Sequence, residues 1–325
     1  MNYRDFGATG LKVSEVGFGC ARIGGVFGDG KPGPDETLHA IRRAVDEGIN
    51  FFDTADMYAQ GESESILGRA LRPNRDRVII ATKGGYCLPA QRKLIARVKP
   101  LVKPLVKALG IRRESLPQSV SGALSQDFSP GYLIRAAEAS LRRLGTDYID
   151  LYQLHSPPAE VIERGEFVDA LERLKAQGKV RHYGIACDSA ADARACLNLP
   201  RIASVQFPFG LLDQEAVTTL FPAAIDRGIA LVARGCYGGG LLKEGLSEAE
   251  LKEKTEKWPR ILAYQRIAER QGRHILEAAL QFSLHPKPVS VTLLGMRTAA
   301  HLENNLLFHS APPLTDNEFE EYLTV

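Results

Sequence analysis

FFDTADMYAQGESE, residues 51–64, opens on an apolar run and ends it abruptly in an acid, Asp53, with a tyrosine, Tyr58, five residues further on. Taken with Ile49 and Asn50, the run reads as a buried strand. Two more apolar runs end in a similar way: Lys83 closes VIIATK and His155 closes IDLYQLH. An acid, a tyrosine, a lysine and a histidine at strand ends, or in the loops after them, are the parts of a proton-transfer site. In a parallel barrel, strand-end residues all face one mouth, where the active sites of that architecture lie. A tyrosine is a poor acid near neutrality, with a reference pKa of about 10, and an adjacent ammonium favours its phenolate. A carboxylate beside the ammonium keeps the lysine charged and fixed, and a histidine can orient a carbonyl oxygen or relay its proton. Each residue alone has a plainer explanation, as a helix cap, a loop anchor or a surface charge. Four at matching ends make coincidence a poor account.

Working outward, an apolar strand followed by an amphipathic helix recurs along the chain. The units are strand 16–19 with helix 34–47, 49–53 with 63–71, 77–82 with 130–143, 148–154 with 166–177, 180–185 with 189–197, 202–206 with 213–227, 229–233 with 258–272, and 288–294 with 298–308. Eight alternations predict an α/β fold, a (β/α)8 TIM barrel. An open doubly wound sheet is the alternative, but no GxGxxG follows the first strand. Residues 2–15, with Gly7, Thr9 and Gly10, predict an N-terminal β-hairpin cap on the barrel floor, and the tail TDNEFEEYLTV a last short helix. SEAELKEKTEKW, 247–258, reads as a solvated extra helix. The whole chain, 1–325, is read as one barrel domain.

Several motifs together resemble the aldo-keto reductase family: FDTADMY, the lysine in ATKGG, DYIDLYQLH, and the flanking GATGLKVSEVGFGC and GMRTAAHLENNL. The resemblance spans nearly the whole chain. It implies a nicotinamide-dependent oxidoreductase using NADPH, with NADH the second choice, and a small-molecule carbonyl or sugar-like substrate. It makes Asp53, Tyr58, Lys83 and His155 the catalytic four. Gly19 and Cys20, in GFGC with Ala21 and Arg22, would approach the nicotinamide. The family's Ser-Asn pair for the carboxamide is replaced by Ala186 and Cys187, so that grip is weaker or comes from another group such as Asp188. Gln206 matches the family's carboxamide glutamine. Arg234 stands where the family often has an aromatic residue, and could stack on the ring through its planar guanidinium or meet an acidic or hydroxyl-rich substrate. Gly235, Tyr237, Gly238 and Gly240 fall in a glycine-rich loop with open NH groups for a pyrophosphate. Gly295, Arg297, His301, Asn304 and Asn305 fall where the family holds the adenosine 2′-phosphate and the adenine, at a helix N-terminus near Thr298 that attracts an anion.

The connection 84–129 is unusually long for a barrel loop, and its stretch from Leu88 to Ser115 carries eight basic residues and one acid. Pro100 and Pro104 interrupt its helical apolar spacing. Three readings stand in order: a lid or side wall over the mouth, a solvated basic face, and last a membrane or acidic partner docking on 91–113. The net charge of +2 gives no argument for nucleic acid. Five scattered cysteines without CxxC spacing argue against a disulfide framework or a metal site and fit a reducing compartment. No signal pattern opens the chain and no uncharged apolar run reaches ~18 residues, so the expected location is cytoplasmic. Two other classes stay open: a Schiff-base lyase acting through Lys83, and a regulatory barrel that holds a nucleotide without turnover.

Overall fold

The computed structural model describes residues 1–24, 33–87, 125–243 and 245–325. The basic stretch 91–113, and with it the lid reading, lies outside the described residues. Strands β1 (Tyr3–Asp5) and β2 (Lys12–Ser14) form an antiparallel hairpin. The first three barrel strands are β3 (Val16–Gly19), β4 (Phe51–Asp53) and β5 (Ile79–Gly84). A two-residue-per-strand hairpin follows, β6 (Tyr86–Cys87) against β7 (Ser125–Gln126), at the two ends of the long connection. The barrel resumes with β8 (Ile149–His155), β9 (Val180–Ala186), β10 (Ser204–Pro208), β11 (Ala230–Arg234) and β12 (Val289–Gly295). These eight strands are parallel and close in sequence order, β12 pairing with β3.

Period-two alternation decides what faces the barrel axis. Phe51, Ile79, Ala81, Leu151, Val232 and Val291 form an inner cluster, and Phe6 and Val13 of the hairpin close it from below. Their strand neighbours Phe52 and Ile80 belong instead to the outer core under the helices. Two residues beyond an inner apolar residue, each of three strands presents a polar one: Asp53 after Phe51, Lys83 after Ala81, Gln153 after Leu151. One more step along β8 is His155, and one step along β11 from Val232 is Arg234. The barrel is therefore apolar below and polar at its carboxyl end.

Local signals explain most helix ends. Pro130–Leu144 starts with proline in its first turn and stops at Gly145, whose φ of 64° suits glycine. Where this helix meets Glu62–Leu71, a Cβ on Gly68 would lie 2.0 Å from the Leu144 carbonyl oxygen, so only glycine permits the approach. Two expectations fail. The helix expected over 213–227 is two short pieces, Ala216–Thr219 and Phe221–Ile225, because Pro222 lacks an NH to continue the ladder. Beyond Trp258–Arg270 a further helix, Ile275–Leu284, precedes β12. Eight of its ten residues are buried, so it lacks the one-sided apolar stripe that reveals a helix in sequence. No described helix is long and apolar enough to cross a membrane.

Candidate active site

A cleft of about 470 Å³ opens at the carboxyl end of the barrel, lined among others by Asp53, Tyr58, His155, Gln206, Arg234 and Gly295. Lys83 lies beneath it, 1% exposed, and its Nζ donates to Asp53 Oδ1 at 2.7 Å, Asp53 Oδ2 at 2.6 Å and the Thr54 carbonyl at 2.9 Å. Burial alone would push the Lys83 amine down, but the Asp53 carboxylate more than offsets this and holds it above the usual lysine value. Gln206 Nε2 donates to Asp53 Oδ1 at 2.9 Å, and Gln153 Nε2 lies 3.5 Å from the same atom. Asp53 is thus a buried carboxylate in a shell of donors.

The loop after β4 brings Tyr58 over this pair, with Lys83 Nζ 5.2 Å from its ring centroid. The turn behind it, Ala59 and Gln60, has φ of 48° and 62°, left-handed values that cost a non-glycine residue energy. Sequence reasoning expected Lys83 to bring the phenol below its ordinary value. The structure corrects this: burial raises the Tyr58 pKa, Lys83 draws it back only in part, and Asp53 raises it again. Tyr58 is therefore a neutral phenol, the proton-donating form. His155 meets Tyr58 edge-on at 5.7 Å between ring centroids. Burial first, then Lys83 and Arg234, lower its pKa to about 3, so the imidazole is neutral. Its Nδ1 is buried without a hydrogen-bond partner.

Arg234 Nη2 donates to the Cys187 carbonyl and to Asp188 Oδ1, each at 3.0 Å, and Ser156 Oγ donates to the same Asp188 oxygen at 2.9 Å. The pair is solvent-exposed, which keeps it weak and leaves the guanidinium open to a ligand. Ala186 and Asp188 line the cleft, but Cys187 does not: its thiol turns into the core, 3.6 Å from Cys196 Sγ. Cys20 is likewise fully buried, and its NH is already spent on the Asp53 carbonyl. The Cys187 thiol is thus turned away from the cleft, and the Cys20 NH is not free for the backbone approach expected there. Both lie one residue past a strand end, where alternation no longer fixes direction.

Further along the rim, Gly235 and Gly295 line the cleft, and a Cβ on either, or on Gly239 or Gly240, would meet nothing within 4 Å. That leaves room for an extended ligand close to the rim, but the NH groups of Gly238 and Gly240 already donate to the Gly235 and Tyr237 carbonyls and are not the open donors expected for a pyrophosphate. Tyr237 OH donates to Asn305 Oδ1 at 2.8 Å, tying this loop to the helix Ala299–Ser310. Asn305 is buried there, while Asn304 is exposed and is not brought to the same contact. Thr298 caps that helix by accepting from the His301 NH, and His301 Nδ1 is buried without a partner. Among the described residues nothing pairs with the Arg297 guanidinium. Gly19 closes β3 at the cleft. Sequence reasoning passed over Met57, Tyr86, Ser156 and Gln153; the last was legible, since it shares the inward face of β8 with His155.

Behind Tyr58, Asp56 has a buried, unpartnered Oδ1. Burial and Glu64 raise its pKa to about 7, against the pull of Arg143. Between roughly pH 4 and 7 the folded protein therefore binds a proton that the unfolded chain has lost, so this group costs stability as pH rises. His155 acts in the opposite sense, costing stability as pH falls below its unfolded value of about 6.5. Asp56→Asn cannot ionise. It is expected to raise the urea midpoint at pH 8 and leave it nearly unchanged at pH 4. An equal change at both values would mean that Asp56 ionises normally.

The aldo/keto reductase family profile matches residues 15–323. The uncharacterized oxidoreductase YqkF of Bacillus subtilis is 29% identical over 331 residues, covering 98% of this chain and 95% of that protein. Pyridoxal 4-dehydrogenase of Microbacterium luteolum is 26% identical, covering 94% and 92%. The solved structure of an aldo-keto reductase from Bacillus halodurans, in its holo form, superposes with a TM-score of 0.79 at 28% identity, over 100% of this chain and 96% of that one. A barrel with this closed strand order, matched over nearly its full length, leaves one assignment: the chain belongs to the aldo/keto reductase family and is an oxidoreductase.

Proposed function

We propose that this protein transfers hydride between NADP(H) and the carbonyl or alcohol carbon of an aldehyde, ketone or sugar-like substrate, with Tyr58 as general acid and base. The observation that carries the reading is the stack at the mouth: Asp53 holds the Lys83 ammonium through two hydrogen bonds, and Lys83 lies under the Tyr58 ring with neutral His155 edge-on beside it. When bound, the nicotinamide supplies or takes the hydride. Tyr58, kept as a phenol, gives its proton to the carbonyl oxygen as negative charge develops there. Lys83 stabilises the phenolate that remains, because a buried ammonium beside an oxyanion interacts far more strongly than in water. Neutral His155 orients the carbonyl oxygen. In the oxidative direction Tyr58 takes the proton back.

The open glycines of the rim fit a dinucleotide, with Gly19, Ala186, Gln206, Arg234 and Gly235 towards its nicotinamide end. Tyr237, Gly238 and Gly240 would follow its pyrophosphate, and Gly295, Arg297, His301 and Asn305 its adenosine. Lys83 as a Schiff-base nucleophile is a poorer account: its ammonium makes three hydrogen bonds and is held above the usual pKa, whereas that chemistry needs a free amine.

The preference for NADPH rests on Arg297, whose guanidinium pairs with nothing among the described residues and can meet a 2′-phosphate. Titration followed by nicotinamide fluorescence should show Arg297→Ala weakening NADPH about tenfold, the size of one charge-assisted hydrogen bond, with NADH unchanged. Equal losses for both nucleotides would remove Arg297 from the phosphate.

A further inference from the structure

We propose that the small hairpin β6–β7 is a clamp that sets the orientation of His155, with Tyr86 and Gln126 as positioning residues. The inference rests on the reading of His155 as the group that orients the carbonyl. An imidazole in such a role is usually fixed by a hydrogen bond at its second nitrogen. His155 has none, since its Nδ1 is buried and unpartnered. Its ring is held by packing instead. Tyr86 meets it edge-on at 4.9 Å and 87°, and Tyr58 meets it at 84°. Among the described residues no other ring packs against the imidazole opposite Tyr58.

The backbone beneath the ring is fixed from the same hairpin. Gln126 pairs with Tyr86 across β6–β7, and its Nε2 donates to the carbonyls of His155 at 3.2 Å and Ser156 at 2.8 Å. Both partners are acceptors, so the amide nitrogen must face them. Ser156 sits at φ 51°, a strained conformation for a residue with a side chain, and its Oγ is committed to Asp188. Gln126 and Asp188 hold this corner from two sides. Tyr132 OH donates to the Tyr86 carbonyl at 2.7 Å, and the Asp127 NH to the Gly85 carbonyl at 2.8 Å, so the hairpin itself is braced.

The test uses the full chain with NADPH and 4-nitrobenzaldehyde as probes, and two readouts. Single-turnover reduction reports the reacting geometry, and the ¹⁵N resonances of the His155 imidazole, assigned by their loss in His155→Gln, report the ring itself. Tyr86→Ala and Gln126→Ala should each slow single turnover about 10- to 100-fold, as an ångström-scale misplacement does. NADPH affinity should stay within about twofold, and the His155 resonances should move or broaden. Tyr86→Phe, which keeps the ring, should behave as wild type. Gln126→Glu, a surface change that removes the donor, should match Gln126→Ala. Unmoved His155 resonances in both alanine variants would overturn the clamp whatever the rates. If His155→Gln itself turns over at the wild-type rate, the role of His155 falls, while moved resonances would still establish the clamp.

Discussion

Tyr58→Phe should lower turnover by about 10³-fold or more while leaving NADPH affinity within about twofold, which is the upper range for losing a positioned general acid. The substitution removes one hydroxyl and keeps the ring, so the edge contact with His155 and the position over Lys83 survive. What disappears is the only proton the ring can give. Because burial holds the Tyr58 pKa above its ordinary value, the phenol is fully protonated across the working range. Reduction should therefore stay flat as pH rises towards 9. Oxidation, which needs the proton taken back, should speed up over the same range. Steady-state rates with several aldehydes, in parallel with fluorescence titration of the nucleotide, check both parts. Wild-type-like turnover in Tyr58→Phe would take the acid role away from Tyr58.

The second large effect is on stability. Lys83→Met should destabilise the fold by about 3–5 kcal/mol, the cost of leaving a buried charge without its partner. Asp53 is only 4% exposed, and without Lys83 its carboxylate keeps, among the described residues, the amides of Gln206 and Gln153. Lys83→Met combined with Asp53→Asn removes both charges and should recover most of the lost stability without recovering turnover. Urea unfolding of Lys83→Met, Asp53→Asn and the double variant measures this. A single variant as stable as wild type would mean that Asp53 and Lys83 are not coupled in the folded state.

These two expectations show what the sequence could carry. The barrel was legible because eight strands are separated by helices with one-sided apolar patterns, and because strand alternation is rigid. An inward Phe51 dictates an inward Asp53, and an inward Ala81 an inward Lys83. Alternation is silent past the last strand residue, so only the family resemblance put Cys20 and Cys187 at the mouth, and it could not show that both thiols pack into the core. It is equally silent about burial. The sequence placed an ammonium near a phenol and suggested a lowered pKa, but the desolvation that outweighs the ammonium belongs to the folded state. The clamp on His155 was hidden for a third reason: Tyr86 and Gln126 lie 40 positions apart, at either end of the long connection, and only strand pairing unites them. The helix Ile275–Leu284 escaped because burial on most sides erases its period.

Hydride transfer at a mouth where Tyr58 supplies the proton leaves a mark on the product. The most direct test is to mix the protein with NADPH deuterated at the transferring position of nicotinamide C4 and 4-nitrobenzaldehyde, then analyse the alcohol by mass spectrometry. One deuterium on the carbinol carbon is expected with wild type, and almost none with Tyr58→Phe over the same interval. No deuterated alcohol across a panel of carbonyl compounds, together with borohydride trapping of one of them on Lys83, would contradict it.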